Sequence, residues 1–275
     1  MARRSGKPAR SARPARPGRS TQASQAQRHQ SQQRTAPKKK ASSAVPDIVP
    51  ETLFLTTIPG ASPSKWVDRF TSRERRIHQL HHDDGAQLLL LAPGEEGARQ
   101  RGLPMVGYLR WPLDSTPQEH LQAGGIDPDT VHVVQFYEES PVVCVGKDHL
   151  LAAWDVETDG PVPANELDPE ELMDPARFAP PIPEDPLDTP ETPGSGERMA
   201  VEIVATGVGH TVLPASVARQ FGRKDVVVLP MVQAEAPQGH PGWQVGLAWL
   251  RELDSQLIQD FVGAAKGRRP GSSRG

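Results

Sequence analysis

The sequence predicts an α/β fold in which strands and helices alternate from about residue 49 onward. Residues 53–58 form a short apolar and β-branched run, which indicates a buried strand. Trp66, Val67 and Phe70 follow at helical spacing, and residues 104–109 indicate a further buried strand. Because strands alternate with helices, the pattern favours a parallel sheet with helices packed on its faces.

The first turn from strand to helix, at residues 59–64, is rich in Pro, Gly and Ser. Ser62 is predicted to cap the helix, and Pro63 to occupy its first position. A helix N-terminus carries free N–H groups and partial positive charge, and ligands of open α/β sheets bind at such ends. The turn therefore has two interpretations: a ligand site, or an ordinary capped helix that binds nothing.

The remaining elements are identified in chain order by apolar periodicity and by Pro, Gly or Asp at their ends. Further strands are predicted at 76–81, 104–109, 131–137, 141–146, 211–213, 225–229 and 243–249. Further helices are predicted at 84–91, 164–172, 197–207, 214–218 and 254–262. Asp83 and Asp84 are expected to cap the second helix of the chain.

The chain has 275 residues and a formal net charge of -3, which conceals a strong asymmetry. Residues 1–44 contain 12 Lys and Arg and no Asp or Glu, so residues 1–48 are predicted to be a disordered basic tail. The tail either makes weak, salt-sensitive contact with nucleic acid or is only a solubilising leader. A second basic tail is predicted at 264–275. The residues considered for phosphate contact are Arg3, Arg4, Lys38, Lys39 and Lys40.

Residues 155–197 interrupt the alternation of strands and helices. They contain ten prolines and thirteen Asp or Glu, with Arg177 as the one basic residue. A stretch of this composition is predicted to be a mobile acidic loop in which only residues 164–172 are helical. Its carboxylates are interpreted as solvated rather than as an acid–base pair, because nothing apolar surrounds them to shift a pKa.

The histidines near residue 80 form the cluster that most resembles a metal site. His78 and His81 would lie on opposite faces of a strand, and two histidines do not define a site. A structural or surface role is therefore favoured for them, for His82 and for the neighbouring aspartates. No metal site and no cofactor are expected.

Several classes of protein are not favoured by the sequence. One cysteine, Cys144, excludes an intramolecular disulfide. The sequence contains no P-loop, no GxSxG, no HExxH and no Rossmann fingerprint, and no nucleophile–base pair is visible, so an enzyme is not expected. No apolar run is long enough to span a membrane, and the basic N-terminus is not followed by the apolar core of a signal peptide, so a cytoplasmic location is expected.

Three segments resemble a known family. Residues 200–218 are similar to the "VaaGvGvallPqSva" segment of LysR-type effector-binding domains. The turn at 58–66 is similar to their first strand–helix turn, and residues 137–149 resemble their crossover into a second subdomain. The order and spacing of the three segments agree, and the resemblance covers residues 52–263.

The resemblance implies a fold like that of type 2 periplasmic binding proteins, with two α/β subdomains joined by crossover strands. Subdomain I would span 49–137 and 208–263, and subdomain II 138–207. A small ligand, often an organic acid, would bind between them, and such domains commonly form homodimers. Carried over by position, the ligand-binding residues would be Ser62, Pro63, Ser64, Asp83, Asp84, Gln135, Phe136, Val208, Gly209 and His210.

The sequence departs from the family in three places. Residues 1–44 are not expected to form the winged helix-turn-helix of the regulators, so the chain resembles a stand-alone effector domain. The acidic residue usual before the third strand is missing at 102–107, and residues 155–197 lack the regular strands. Asp83 and Asp84 also place negative charge where an anion would sit, which favours a neutral or cationic ligand, or none.

The leading hypothesis is a non-enzymatic module that binds a small organic effector and acts through a partner or through the basic tail. The first alternative is an interaction domain that kept the fold and lost the pocket. The second is a protein that binds nucleic acid non-specifically through the tail. In that case the acidic loop would compete with phosphate for the tail.

Overall fold

The structure is a computed structural model that describes residues 52–92, 102–181, 192–234 and 239–267. The tail predicted at 1–48 and the basic residues at 268–275 lie outside the described residues. The strands are β1 (Thr52–Thr57), β2 (Arg76–His81), β3 (Met105–Pro112), β4 (Val131–Glu139), β5 (Pro141–Gly146), β6 (His210–Pro214), β7 (Val226–Pro230) and β8 (Trp243–Leu250). The α-helices are α1 (Ser64–Thr71), α2 (Asp84–Leu91), α3 (Pro117–Ala123), α4 (Val156–Asp159), α5 (Ser195–Val204), α6 (Ala215–Gln220) and α7 (Gln256–Ala265).

The first sheet has the strand order β2–β1–β3–β8–β4. Strand β1 pairs in parallel with both β2 and β3, as the alternation of strands and helices predicts. Strand β8 pairs antiparallel with β3 and with β4. The sheet is therefore mixed, because the late strand β8 inserts between strands that run in the opposite direction.

The second sheet has the order β6–β5–β7, and both pairings are antiparallel. Every residue of β5 is buried, which suits the central strand of a covered sheet. The prediction that subdomain I resumes at residue 208 is wrong for β6 and β7, because both strands hydrogen-bond to β5. Subdomain II therefore extends from Ser140 to about Met231. The α/β class with two subdomains is confirmed.

Helices cover both faces of the first sheet. Because side chains alternate along a strand, Leu53 and Leu55 enter one apolar cluster and Phe54 enters the other. Helices α1 and α7 cover the first face, where the rings of Phe70 and Phe261 meet edge to face with centroids 5.4 Å apart. Helices α2 and α3 add leucines on the second face. The apolar alternation along β1 thus fixes which helices it contacts.

The acidic segment does not contain the helix predicted at 164–172. The structure has two short 3₁₀ turns there, Ala164–Glu166 and Pro169–Glu171. The side chain of Asp168 accepts a hydrogen bond from the N–H of Glu170, and the proline between them has no N–H to donate. A new turn therefore begins at this point, and a continuous helix cannot form.

The described part of the acidic segment is attached to the second sheet. Val162 is fully buried and forms a parallel bridge with Met231. Leu172 forms a second bridge with His210, and the N–H of Met173 donates to the carbonyl of His210 at 2.8 Å. The expectation of a mobile loop is therefore wrong for this part, since these residues form turns that add to the sheet edges.

The turn after β1 contacts subdomain II. Gly60 has a φ of +80°, and its N–H donates to the side-chain oxygen of Gln220 in α6. A Cβ at this position would lie 2.3 Å from Ser216 Oγ and 2.9 Å from the backbone nitrogen of Val217. A glycine is therefore required here both by the positive φ and by the close approach of α6.

We expect Gly60→Ala to destabilise the protein by roughly 2–4 kcal/mol, because strain at positive φ adds to overpacking against α6. Gly125→Ala is the matched control, since Gly125 has a φ of +75° and a Cβ there meets nothing within 4 Å. The control should lose only about 1 kcal/mol. Urea unfolding measures both. Equal losses would contradict the close contact between the turn and α6.

Candidate functional site

A buried arginine lies where the two subdomains meet. Arg110 is on β3, and its side chain is 3% exposed. Its guanidinium donates to Asp84 Oδ2 at 2.7 Å, to Glu139 Oε2 at 2.9 Å and to the carbonyl of Pro59 at 2.7 Å. A buried charge is tolerated only when it is paired and hydrogen-bonded, and these three acceptors meet that condition.

Glu139 extends this set of contacts into subdomain II. Its side chain is 5% exposed. Glu139 is the last residue of β4, and a single residue separates it from β5. While Oε2 accepts from Arg110, Oε1 accepts a hydrogen bond from the hydroxyl of Ser216 at the start of α6. We refer to Arg110, Asp84, Glu139, Ser216 and the Pro59 carbonyl as the Arg110 network. It connects β3, α2 and β4 with α6 through charge-assisted hydrogen bonds.

Asp83 makes a second connection between the subdomains. The backbone N–H of Gly194, the residue that precedes α5, donates to Asp83 Oδ1. An anion is favoured at a helix N-terminus, so a carboxylate of the protein itself takes the position that an anionic ligand would use. Burial raises the pKa of Asp83, the hydrogen bond from Gly194 opposes that effect, and the charge of Asp84 adds to it.

Glu197 lies in the first turn of α5 and completes an acidic group with Asp83 and Asp84. Burial, with smaller contributions from the charges of Asp84 and Asp83, raises the pKa of Glu197 to about 7, against the opposing effects of its own backbone N–H and of Arg110. Near neutral pH, Glu197 is therefore partly protonated. A cation placed beside it would favour the ionised form, because an opposite charge lowers the pKa of a carboxyl group.

These carboxylates line a pocket between the start of α2 and the proline-rich segment. Its volume is about 450 Å³, within the usual range for small-molecule sites. Prolines and alanines form one wall, and no Lys or Arg is among the lining residues. We call it the junction pocket; its lining residues are Asp83, Asp84, Gly85, Ala86, Pro175, Ala176, Ala179, Pro180, Pro181 and Glu197.

The residues predicted to bind ligand at the start of α1 and at the start of α2 do not line the same pocket. Asp83 and Asp84 line the junction pocket, whereas Ser62, Pro63 and Ser64 do not. Pro63 is buried and precedes α1 without a side-chain cap, so the prediction that Ser62 caps this helix is wrong. The backbone carbonyl of Pro63 instead accepts the first helical hydrogen bonds.

Gln135 and Phe136 were predicted to line the floor of the cleft, and the structure corrects this prediction. A β-bulge lies between Gln135 and Tyr137, and the Phe136 ring packs on Trp66 with centroids 4.9 Å apart. Phe136 thus belongs to the core of subdomain I, and Gln135 is exposed. Glu139, further along the same strand, is the side chain that reaches the junction.

Val208, Gly209 and His210 were predicted to meet the same ligand as Asp83, but they lie at the opposite end of β6. Strand β6 pairs with β5 so that His210 is opposite Val145, while Pro214 is opposite Pro141 at the junction. Four residue steps of a strand separate the two ends, which is about 13 Å. The three residues line a different pocket within subdomain II.

Three important residues of the junction escaped the sequence prediction: Arg110, Glu139 and Glu197. Arg110 did leave a signal, because it interrupts the apolar run of β3 between two fully buried neighbours, Leu109 and Trp111. A charged residue inside such a run indicates a buried partner. Its partners are 26 and 29 residues away along the chain, so local pattern does not identify them.

Within the described residues, no group of three or more His, Cys, Asp or Glu is arranged to hold a metal ion. His81 instead shares a hydrogen bond with the Thr57 hydroxyl, 2.6 Å from its Nδ1. In the same part of the chain, no helix combines the length and apolar character needed to cross a membrane.

Comparisons with known proteins agree with this fold. No protein-family profile matches the sequence, and no curated protein sequence matches it. The effector-binding domain of BenM, solved with its effector benzoate, is 16% identical, with 82% of this chain and 99% of that chain covered and a TM-score of 0.50. A mutant of full-length BenM is 15% identical, with 80% and 70% covered and a TM-score of 0.52. The fold is that of LysR-type effector-binding domains.

We expect Arg110→Met to destabilise the protein by roughly 3–5 kcal/mol, because Glu139 remains buried without its counter-charge. The double variant Arg110→Met/Glu139→Gln should recover a large part of this loss in urea unfolding. Arg76→Met is the control: Arg76 is exposed on β2, so the expected change is below about 0.5 kcal/mol. If the double variant loses the sum of the free energies of unfolding that the two single variants lose, Arg110 and Glu139 are not energetically coupled.

We expect the free energy of unfolding to fall as the pH rises from about 4.5 to about 7. The pKa of Glu197 is raised in the folded state, so its contribution to stability is complete below its unfolded pKa and is lost as the pH passes the folded value. The loss is at most about 3 kcal/mol. Glu197→Gln should flatten this part of the profile. Glu202 is exposed on the same helix, so Glu202→Gln should leave this part of the profile unchanged. If Glu202→Gln also flattens the profile, the loss of stability does not come from the burial of Glu197.

Proposed function

We propose that the chain is a non-enzymatic effector-binding module and that its effector is a small organic cation held in the junction pocket. The observation that carries the proposal is the position of Asp83, Asp84 and Glu197 in a pocket between two subdomains. Support also comes from the likeness to the BenM effector-binding domain, which was solved with benzoate. A partner, or the tail predicted at 1–48, would transmit binding.

The charge of the pocket argues for a cation rather than an anion. Asp84 lines the pocket and pairs with Arg110 through one carboxylate oxygen. Asp83 accepts from the N–H of Gly194, and Glu197 has no cationic neighbour in the pocket wall. An ammonium group supplies both the donors and the charge that these oxygens lack, whereas a benzoate-like anion would meet carboxylates.

The non-polar part of the effector would contact the proline-rich wall. The residues at 175–181 that line the pocket are prolines and alanines, which offer apolar surface and no side-chain hydrogen bonds. Ligand pockets typically combine such surfaces with a few polar groups that set the orientation. A compact amine with an apolar body therefore matches the pocket in both charge and shape.

A second candidate function is an interaction domain that kept the fold and lost ligand binding. The observation that favours it is the Arg110 network, in which Arg110, Asp84, Glu139 and Ser216 hydrogen-bond to one another without a ligand. Gly60, packed against α6, also closes part of the space between the subdomains. In this alternative the surface of a homodimer or the acidic segment would be the functional feature.

Other predictions remain proposals. Contact of the tail with nucleic acid through Arg3, Arg4 and Lys38–Lys40 concerns residues outside those described. A homodimer, a cytoplasmic location and the absence of enzymatic activity are kept as parts of the proposal. They rest on the sequence and on the likeness in fold.

Thermal unfolding of the full chain against primary amines, diamines and organic acids, benzoate included, tests the proposal. An amine at about 100 times its dissociation constant should add roughly 2.7 kcal/mol, and benzoate should add nothing. Glu197→Gln should abolish the effect, while Glu202→Gln on the exposed side of α5 should retain it.

Two results would count against a cation-binding module. Stabilisation by benzoate that Glu197→Gln leaves intact would place an anion site elsewhere. A cooperative melt that no compound shifts would favour the interaction domain.

A further inference from the structure

A second pocket lies in subdomain II, at the end of β6 that is remote from the junction. Its volume is about 630 Å³, and it is bounded by the acidic turns at 164–171 and by the turn at 207–209. It shares no lining residue with the junction pocket. We call it the histidine pocket, because His149 and His210 both line it.

The imidazole of His210 belongs to a buried residue that lines the histidine pocket. The residue is 3% exposed and lines the pocket, and its ring makes no hydrogen bond to another described residue. Burial lowers the pKa of His210, and the nearby His149 lowers it further, against smaller opposing effects of Glu171 and Asp168. At neutral pH the ring is therefore uncharged, and one of its nitrogens can accept a hydrogen bond.

His149 orients a second polar group toward the same space. Its Nδ1 accepts a hydrogen bond from the N–H of Leu151 at 3.1 Å, so the neutral ring carries its proton on Nε2. That nitrogen is 3.8 Å from Glu171 Oε2. The carboxylate therefore faces the ring and keeps further acceptor capacity for a ligand.

The charge of the histidine pocket is strongly negative. No Lys or Arg lines it, and the lowered pKa of His210 leaves that ring uncharged at neutral pH. The side chains are not arranged to hold a metal ion within the described residues, which argues for a larger cation with several donors. The lining carboxylates are Asp148, Glu166, Asp168, Glu170 and Glu171.

Apolar side chains stand among these carboxylates. Leu150 is 92% exposed and Val208 is 56% exposed, and both line the pocket. We propose that the histidine pocket binds a linear aliphatic polyamine. Its ammonium groups donate to the carboxylates and to the free nitrogen of His210, and its methylene segments cover Leu150 and Val208. The ammonium and methylene groups of such a ligand correspond to the carboxylates and the apolar side chains that line the pocket.

Isothermal titration of the full chain with spermidine at 150 mM NaCl tests this site. We expect Asp168→Asn/Glu171→Gln to raise the dissociation constant at least tenfold, with no change in shape because both replacements are isosteric. The control is Glu157→Gln/Asp159→Asn, which removes the same charge from exposed positions outside both pockets. It should change the constant less than twofold.

Two more variants keep the result decisive. Glu166→Gln/Glu170→Gln alters exposed side chains of the pocket and should also weaken binding, which guards against misfolding of the first pair. If the pocket pair and the control pair weaken spermidine binding equally, the proposal is overturned, because the polyamine is then attracted to the negative charge of the whole protein and not to this pocket. If only Glu197→Gln abolishes spermidine binding, the polyamine binds in the junction pocket instead. If equimolar magnesium chloride displaces spermidine, the histidine pocket is a site for a metal ion and not for a polyamine.

Discussion

The buried guanidinium of Arg110 is the constraint on which the junction of this protein depends. A charge on the central strand β3, 3% exposed, is costly unless acceptors surround it. The acceptors come from three different places: α2, the end of β4 and the turn after β1. Meeting this requirement brings the start of α2 beside the crossover to subdomain II, and the hydroxyl of Ser216 extends the contact into α6.

The network also determines the electrostatics of the junction pocket. One guanidinium is shared by Asp84 and Glu139, and no Lys or Arg lines the pocket beside Asp83 and Glu197. Asp83 uses the N–H at the start of α5, and Glu197 holds its proton up to about neutral pH. The junction pocket of this chain is therefore lined by carboxylates and by no Lys or Arg, which is the basis for proposing a cationic effector.

Much of the fold could be predicted from the sequence, because its signals are local. The apolar runs, the prolines and glycines at the turns and the resemblance in three segments predicted the strands β1 to β8, the helices α1, α2, α5, α6 and α7, and the presence of two subdomains. They did not predict α3 or α4, and the helix predicted at 164–172 is absent. The pairing of β6 and β7 with β5 could not be predicted, since it depends on contacts distant in the chain. For the same reason Asp83 was identified from its position before a helix, whereas Arg110 was not, although it interrupts an apolar strand. His210 was assigned to the wrong pocket because the direction of β6 decides which end meets the junction.

The most direct test of the account is a carbon-13 NMR titration of the Glu197 carboxyl group, with and without 1,4-diaminobutane. The account predicts a midpoint near 7 in the free protein and a lower midpoint with the diamine, because an ammonium group in the junction pocket stabilises the carboxylate. A midpoint near the ordinary value for glutamate, or one that the diamine does not move, would contradict an acidic junction built to receive a cation.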